Sequence, residues 1–128
     1  MAAPIPVHDE LFTIDPPRLL GARCTACGQH HFPRLAQCPY CGDEQVEPVE
    51  LSDHGSLWGW TEVLTAPPGY EGDVPFGFGV VELPEGIRII TRLASPVTGY
   101  EAGQPMQLRI VPLHESDAGT VVTWEFAP

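Results

Sequence analysis

Cys24, Cys27, Cys38 and Cys41 form two C-x-x-C pairs with ten residues between them, and they are the only cysteines in the chain. A pair of this spacing presents both sulfurs from one tight turn. Two such turns facing each other across a hairpin bring four soft donors to one point, and a tetrahedral ion needs them at about 2.3 Å from its centre. A glycine follows each pair (Gly28 and Gly42); glycine tolerates φ > 0, so each turn can aim backbone N–H groups at the thiolates. The fragments Cys24-Thr25-Ala26-Cys27-Gly28 and Cys38-Pro39-Tyr40-Cys41-Gly42 therefore read as the two knuckles of a metal ribbon.

Two other chemistries fit four cysteines. Disulfides belong to oxidising compartments, but Met1–His8 shows neither a basic n-region nor an apolar h-region, and no run is long enough for a membrane helix. We therefore expect a reducing, cytoplasmic setting and no membrane association. Iron in rubredoxin-type knuckles would make an electron carrier, but those knuckles lie much farther apart in sequence. The short gap favours a structural zinc, with every coordination position filled by Cys24, Cys27, Cys38 and Cys41.

Charge narrows the partners. The chain has 128 residues, seventeen acids, six arginines (Arg18, Arg23, Arg34, Arg88, Arg92, Arg109) and no lysine, a formal net charge of −11. Nucleic acids and anionic membranes attract proteins first through cations, so neither is an expected partner. From Pro16 to Gly42 there is no acid, yet Arg18, Arg23 and Arg34 all lie there. Such a segment suits a small anion such as a nucleotide phosphate; equally, the arginines can offset the metal-thiolate charge or pair with carboxylates.

Fifteen prolines and thirteen glycines argue for short strands and many turns. We read residues 1–20 as an arm with a short helical segment, stopped by Pro16-Pro17. Residues 21–45 form the zinc ribbon, and residues 46–128 the main β domain, entered through a polar link, Asp43–Glu50. Five strand-like segments follow: 55–65, 76–83, 85–95, 106–114 and 120–127, the second and third joined by a turn at Pro84-Glu85-Gly86. In the third, Ile87, Ile89, Thr91 and Leu93 alternate with Arg88, Ile90 and Arg92. Five short strands with glycines at bends suggest a small closed barrel of the OB type. Gly77 and Gly79 let a strand coil tightly or leave room for another chain. The loops 66–75 and 96–105, which carry Tyr70 and Tyr100, are either partner-contacting loops or ordinary connections.

Catalytic candidates are few. All four thiols are taken by the metal, and no Ser-His-Asp spacing, P-loop or paired-carboxylate motif can be picked out. His30 and His31 lie inside the ribbon hairpin; His8, His54 and His114 lie near segment ends without a recognisable partner in sequence.

The order of these pieces carries a resemblance. C-x-x-C-G, then Phe32-Pro33, then C-P-x-C-G, then the segment from Gly55 to Val63, then V-E-L-x-E-G-I-R at Val81–Arg88, resembles the DUF35 family of zinc-ribbon OB-fold proteins associated with acyl-CoA metabolism. The resemblance covers nearly the whole chain. It implies a mainly β protein, with a rubredoxin-like zinc ribbon ahead of a five-stranded OB-fold barrel. It also implies an accessory role rather than a reaction: such proteins assemble with a thiolase or a thiolase-like aldolase, as a heterotetramer around an enzyme dimer, some with a hot-dog hydratase. They help shape the acyl-CoA channel in lipid, steroid side-chain or aromatic acyl-CoA metabolism, while the catalytic residues belong to the partner. The resemblance does not fix CoA-binding residues; the acid-free charge context suggests that Arg18, Arg23 or Arg34 approaches the phosphates of CoA, which suit arginine forks. The alternatives are a free-standing acyl-CoA-binding module and a nucleic-acid-binding OB protein. Trp58 and Trp60, two residues apart, are expected on one strand face, and Phe76 and Phe78 repeat that spacing; either all four belong to the core, or one pair faces outwards and anchors a partner.

Overall fold

Short apolar runs broken by proline and glycine give strands, and every regular element of a computed structural model describing residues 4–128 is one. They are β1 (Ile5–Pro6), β2 (Phe12–Ile14), β3 (Pro17–Cys24), β4 (His30–His31), β5 (Val46–Glu50), β6 (His54–Val63), β7 (Phe76–Glu82), β8 (Arg88–Leu93), β9 (Pro105–Ser116) and β10 (Gly119–Ala127).

The last five strands close on themselves. β6 pairs with β7, β7 with β8, β8 with β10, β10 with β9, and β9 returns to β6. All of these pairings are antiparallel except β8 with β10, which is parallel at Phe126 and Leu93. This order is the five-stranded Greek-key barrel of an OB-fold, so the mainly β architecture expected from sequence is the one observed. The alternation in β8 holds: Ile89, Thr91 and Leu93 are buried, whereas Arg88 and Ile90 are exposed. Gly77 and Gly79 serve tight coiling. A Cβ on Gly79 would overlap the Gly59 carbonyl oxygen, and one on Gly77 would lie 2.7 Å from the Leu93 carbonyl oxygen.

The N-terminal half differs from expectation in two places. The segment before Pro16-Pro17 is not helical; Phe12–Ile14 is a strand that hairpins onto β3, with Phe12 opposite Leu19 and Ile14 opposite Pro17. The prolines leave too few residues for a helix to form, and a two-residue period at Phe12 and Ile14 buries Phe12 against the core. The polar stretch before the barrel is not a link throughout. Val46–Glu50 is β5, which pairs along β3 from Leu20↔Glu50 to Cys24↔Val46. It looked polar because Glu47, Pro48 and Glu50 face solvent, while Val46 and Val49 are partly covered.

One apolar core spans both halves. Phe12 and Leu19 from the β2–β3 hairpin join Leu51, Leu57, Val81, Ile89, Leu93, Met106, Leu108 and Phe126. Trp124 knits them together, with Phe12 at 5.3 Å and Phe32 edge-on at 6.0 Å, and its indole N–H donates to Thr91 Oγ1 at 3.1 Å. The opposite end holds Trp60 edge-on to Tyr100 at 6.4 Å.

Candidate metal centre

β3 delivers Cys24 at its C-terminal end, and the two knuckles are built alike. The Cys24 N–H donates to the Gln29 carbonyl at 2.9 Å, and the Cys38 N–H to the Asp43 carbonyl at 2.8 Å, the same five-residue step. Gly28 and Gly42 adopt φ of 79° and 81° and donate to the Cys24 and Cys38 carbonyls at 2.8 and 3.0 Å. The glycines thus close the turns, and other amides reach the sulfurs: Cys27 N–H lies 3.5 Å from Cys24 Sγ, and Tyr40 N–H 3.4 Å from Cys38 Sγ.

All four sulfurs lie within 4.8 Å of one another, with Cys24–Cys41 at 3.6 Å and Cys27–Cys38 at 3.7 Å. A disulfide would bring a pair to about 2.05 Å, and all four cysteines are free. A tetrahedron with arms of about 2.3 Å places its corners about 3.8 Å apart, so these spacings fit one four-thiolate ion. The electrostatics agree. Burial works to raise the Cys38 thiol, but the Cys41 and Tyr40 backbone N–H groups, with the Cys27 and Cys41 thiols, bring it down to about 7. The Asp43 N–H favours the Cys41 thiolate, yet its hydrogen bond to Cys24, burial, and the Cys27 and Cys38 sulfurs push it up to about 12. Without a cation the cluster favours the Cys38 thiolate and disfavours those of Cys27 and Cys41; a divalent ion removes that conflict. Cys24 and Cys38 are buried, whereas Cys27 and Cys41 are exposed, so the site sits at the tip of the ribbon.

The three arginines of the acid-free segment are each held by different partners. Arg18 donates to the Pro17 carbonyl and to Asp53 Oδ2, both at 2.8 Å. Arg23 faces Glu47 at 3.5 Å, with both side chains about half exposed. Arg34 Nε donates to the Gly21 carbonyl at 2.7 Å and fastens its loop to β3. Arg34 also borders a groove of about 520 Å³ lined by Asp9, Glu10, Leu11, Leu20 and Pro33.

Among the histidines, His31 is buried in the ribbon, with neither ring nitrogen hydrogen-bonded among the described residues. His54 meets Asp53 at 3.1 Å and His114 meets Glu71 at 3.5 Å. The loop tyrosines turn inwards. Arg92 donates to the Tyr70 hydroxyl at 3.0 Å, and the Tyr100 hydroxyl donates to the Ala94 carbonyl at 2.5 Å. Burial, helped by Glu125, holds the Tyr100 phenol above its ordinary value.

Sequence reasoning missed a buried carboxylate on the barrel wall. Glu125 accepts from Arg109 Nε at 2.8 Å, and its other oxygen lies 3.4 Å from Arg92 Nε. A single acid within the apolar run Thr120–Ala127, with two arginines on neighbouring strands, was the available signal.

Two family profiles cover most of the chain. One described as "ChsH2, rubredoxin-like zinc ribbon domain" matches residues 14–47, and one described as "ChsH2, C-terminal OB-fold domain" matches residues 48–111. The chain belongs to the DUF35 family. It is 31% identical over 111 residues to a benzoylsuccinyl-CoA thiolase subunit, BbsA, of Thauera aromatica, covering 86% of this chain and 76% of that one. It is 32% identical to a DUF35 domain-containing scaffold protein of Pyrococcus furiosus, over 73% of this chain and 68% of that one. Among solved structures, a chain of the Ltp2-ChsH2(DUF35) aldolase superposes with a TM-score of 0.63 at 28% identity, covering 84% of each. Among the described residues, no helix is long and apolar enough to cross a membrane.

Proposed function

We propose that this DUF35 protein is a non-catalytic accessory subunit of a thiolase-superfamily enzyme, either a thiolase or a thiolase-like aldolase. One observation carries the reading: the similarity runs through ribbon and barrel alike, over 86% of the chain, to a protein named as a thiolase subunit. The chemistry of the chain is in keeping with it. Its four thiols converge on one metal position, which leaves no cysteine to attack a thioester. Zinc is the ion this thiolate set favours, held by Cys24, Cys27, Cys38 and Cys41, and it stabilises the ribbon without an open coordination position.

The acyl-CoA contact belongs to the same proposal. Arg23, held loosely by Glu47 at 3.5 Å, is free to turn to a phosphate. The Arg34 groove offers Leu11, Leu20 and Pro33 as an apolar wall. The complex is expected to work in the cytoplasm around an enzyme dimer.

The test is reconstitution. The chain, purified alone and with its co-expressed thiolase-superfamily subunit, is assayed for zinc content and thioester turnover. The expected result is zinc in both samples and turnover only in the complex. Turnover by the lone chain, or failure of any such subunit to associate, overturns the reading. Joint replacement of Arg18, Arg23 and Arg34 is expected to raise the acyl-CoA KM with assembly intact; an unchanged KM removes the phosphate role.

A further inference from the structure

Trp58, Phe78, Val80 and Ile90 meet on the outer wall of the barrel. A bulge between Leu57 and Gly59 interrupts the β6–β7 ladder and breaks the alternation, so Trp58 and Trp60 fall on opposite sides of the sheet. Trp60 pairs with Gly79 and packs on Tyr100. Trp58 turns outwards, 56% exposed, with the Arg88 guanidinium 4.4 Å above its ring. Across the ladder, Gly59 lies opposite Val80 and Val80 opposite Ile90; Thr61 lies opposite Phe78 and Phe78 opposite Arg92. Ile90 is 68% exposed and Phe78 38%. A Cβ on Gly59 would meet nothing within 4 Å, which leaves a notch between Trp58 and Val80. Beyond Ile90 the wall falls into a hollow of about 240 Å³, closed on the far side by Phe32 and Pro33 of the ribbon. Large aromatic and aliphatic side chains gathered in this way on a water-facing sheet mark an interaction site.

The surrounding charges say what covers it. Arg88 is paired with Glu82 at 3.0 Å, and Arg92 and Arg109 share Glu125. These three arginines and two glutamates leave the face near neutral, so the excess negative charge lies elsewhere on the molecule. An oligonucleotide needs a row of cations along its backbone beside the stacking rings, and three arginines against two glutamates leave this face with only about one net positive charge. A second copy would bring another −11 body against the first. The face fits a different protein chain with an apolar contact surface. Arg88 and Arg109, each 53% exposed at the side chain, can take carboxylates at the rim of such a surface.

We infer that this face, centred on Ile90 and extending from Trp58 to Phe78 and to the hollow beside Phe32-Pro33, is the surface on which the thiolase-superfamily subunit docks. The inference rests on the accessory-subunit reading. The test uses the full chain, zinc-loaded and tagged, co-expressed with that subunit, and titrations of the purified components against each other. Ile90→Glu and Gly59→Gln place polar groups on the face where the structure has open space, and Ala118→Glu in the β9–β10 turn is the control. The expected result is a loss of at least about 30-fold in affinity for Ile90→Glu and a smaller loss for Gly59→Gln. Zinc content and melting temperature should stay unchanged, and Ala118→Glu should bind like the unmodified chain. Equal binding by all four proteins overturns this surface while leaving the accessory role standing. Concentration-dependent self-association abolished by Ile90→Glu makes the occupant a second copy and overturns the proposal. Failure of the unmodified chain to bind the subunit overturns the role and the surface together.

Discussion

Replacing Phe12 by alanine tests whether the N-terminal hairpin is part of the barrel or merely leans on it. Phe12 is 3% exposed, on a strand of three residues, and its ring sits 5.3 Å from that of Trp124. Truncating a buried phenylalanine costs about 3–5 kcal/mol, as lost transfer energy and a residual cavity, and an aromatic pair adds about 0.5–1.5 kcal/mol to what burial alone gives. A short strand at a sheet edge can partly collapse into the space, which favours the lower part of that range, about 3–4 kcal/mol. For a chain of this size each kcal/mol moves the melting point by roughly 3–4 °C, so Tm should fall by about 10–15 °C. The assay is thermal unfolding of the zinc-loaded protein, followed by far-UV circular dichroism and by tryptophan fluorescence. Both probes should move together, since Trp124 belongs to the barrel and touches the hairpin. A shift below about 3 °C in the dichroism transition would refute the shared core.

Three further outcomes follow from the same contacts. Gly79→Ala places a methyl group against the Gly59 carbonyl oxygen and 2.9 Å from the Leu93 side chain; the strands must part, at a cost of about 1–3 kcal/mol or more in urea unfolding, and an unchanged midpoint would contradict the close approach. Cys38→Ser should take bound zinc from about one ion per chain to well below one, measured by elemental analysis, with the ribbon more open to protease; retained stoichiometry contradicts the four-thiolate site. Asp53 is held below the usual carboxylate range, first by its hydrogen bond to His54 and then by the Arg18 charge, against partial burial. Its depressed folded value means that the stabilisation is present above about pH 4 and lost as pH falls through the folded value. The Tm gap between unmodified protein and Asp53→Asn, worth less than about 1 kcal/mol for a pair one-third exposed, should close in acid. A gap that widens there reverses the assigned sign.

Legibility tracked how local the cause was. The cysteine spacing foretold the clustered sulfurs because each knuckle is a five-residue turn whose geometry glycine permits. Alternation at Ile87–Leu93 foretold which side of β8 is buried, because one strand needs only its own period. The strand at Phe12–Ile14 was not legible as such: three residues carry almost no period, and their conformation is set by pairing with β3 across the Pro16-Pro17 turn and by Trp124, more than a hundred residues away. β5 was hidden because only two of its side chains turn inwards. The Trp58/Trp60 spacing suggested a shared face, and the bulge undid it, since one extra residue inverts every later side chain on the strand. Phe76 and Phe78 do share a face, yet Phe76 is covered by Tyr70 at 5.1 Å and by Arg92 at 4.8 Å, so they do not form a matched exposed pair.

These misses point to one physical fact about the molecule: its ribbon and barrel are not separate bodies. β3 runs without a break from the hairpin that buries Phe12 to the knuckle that carries Cys24. Phe32, which directly follows β4, packs edge-on against Trp124 of the barrel, and with Pro33 it walls the hollow beside Ile90. A metal ion at the four thiolates therefore fixes the ends of a strand and a loop whose other ends rest on the barrel. Close-packed contacts of this kind transmit displacement rather than absorb it. A ribbon whose four thiolates hold a metal can in this way set the shape of a surface well away from its own sulfurs. That is a physical reason for joining a four-cysteine metal site to a barrel that presents an apolar face.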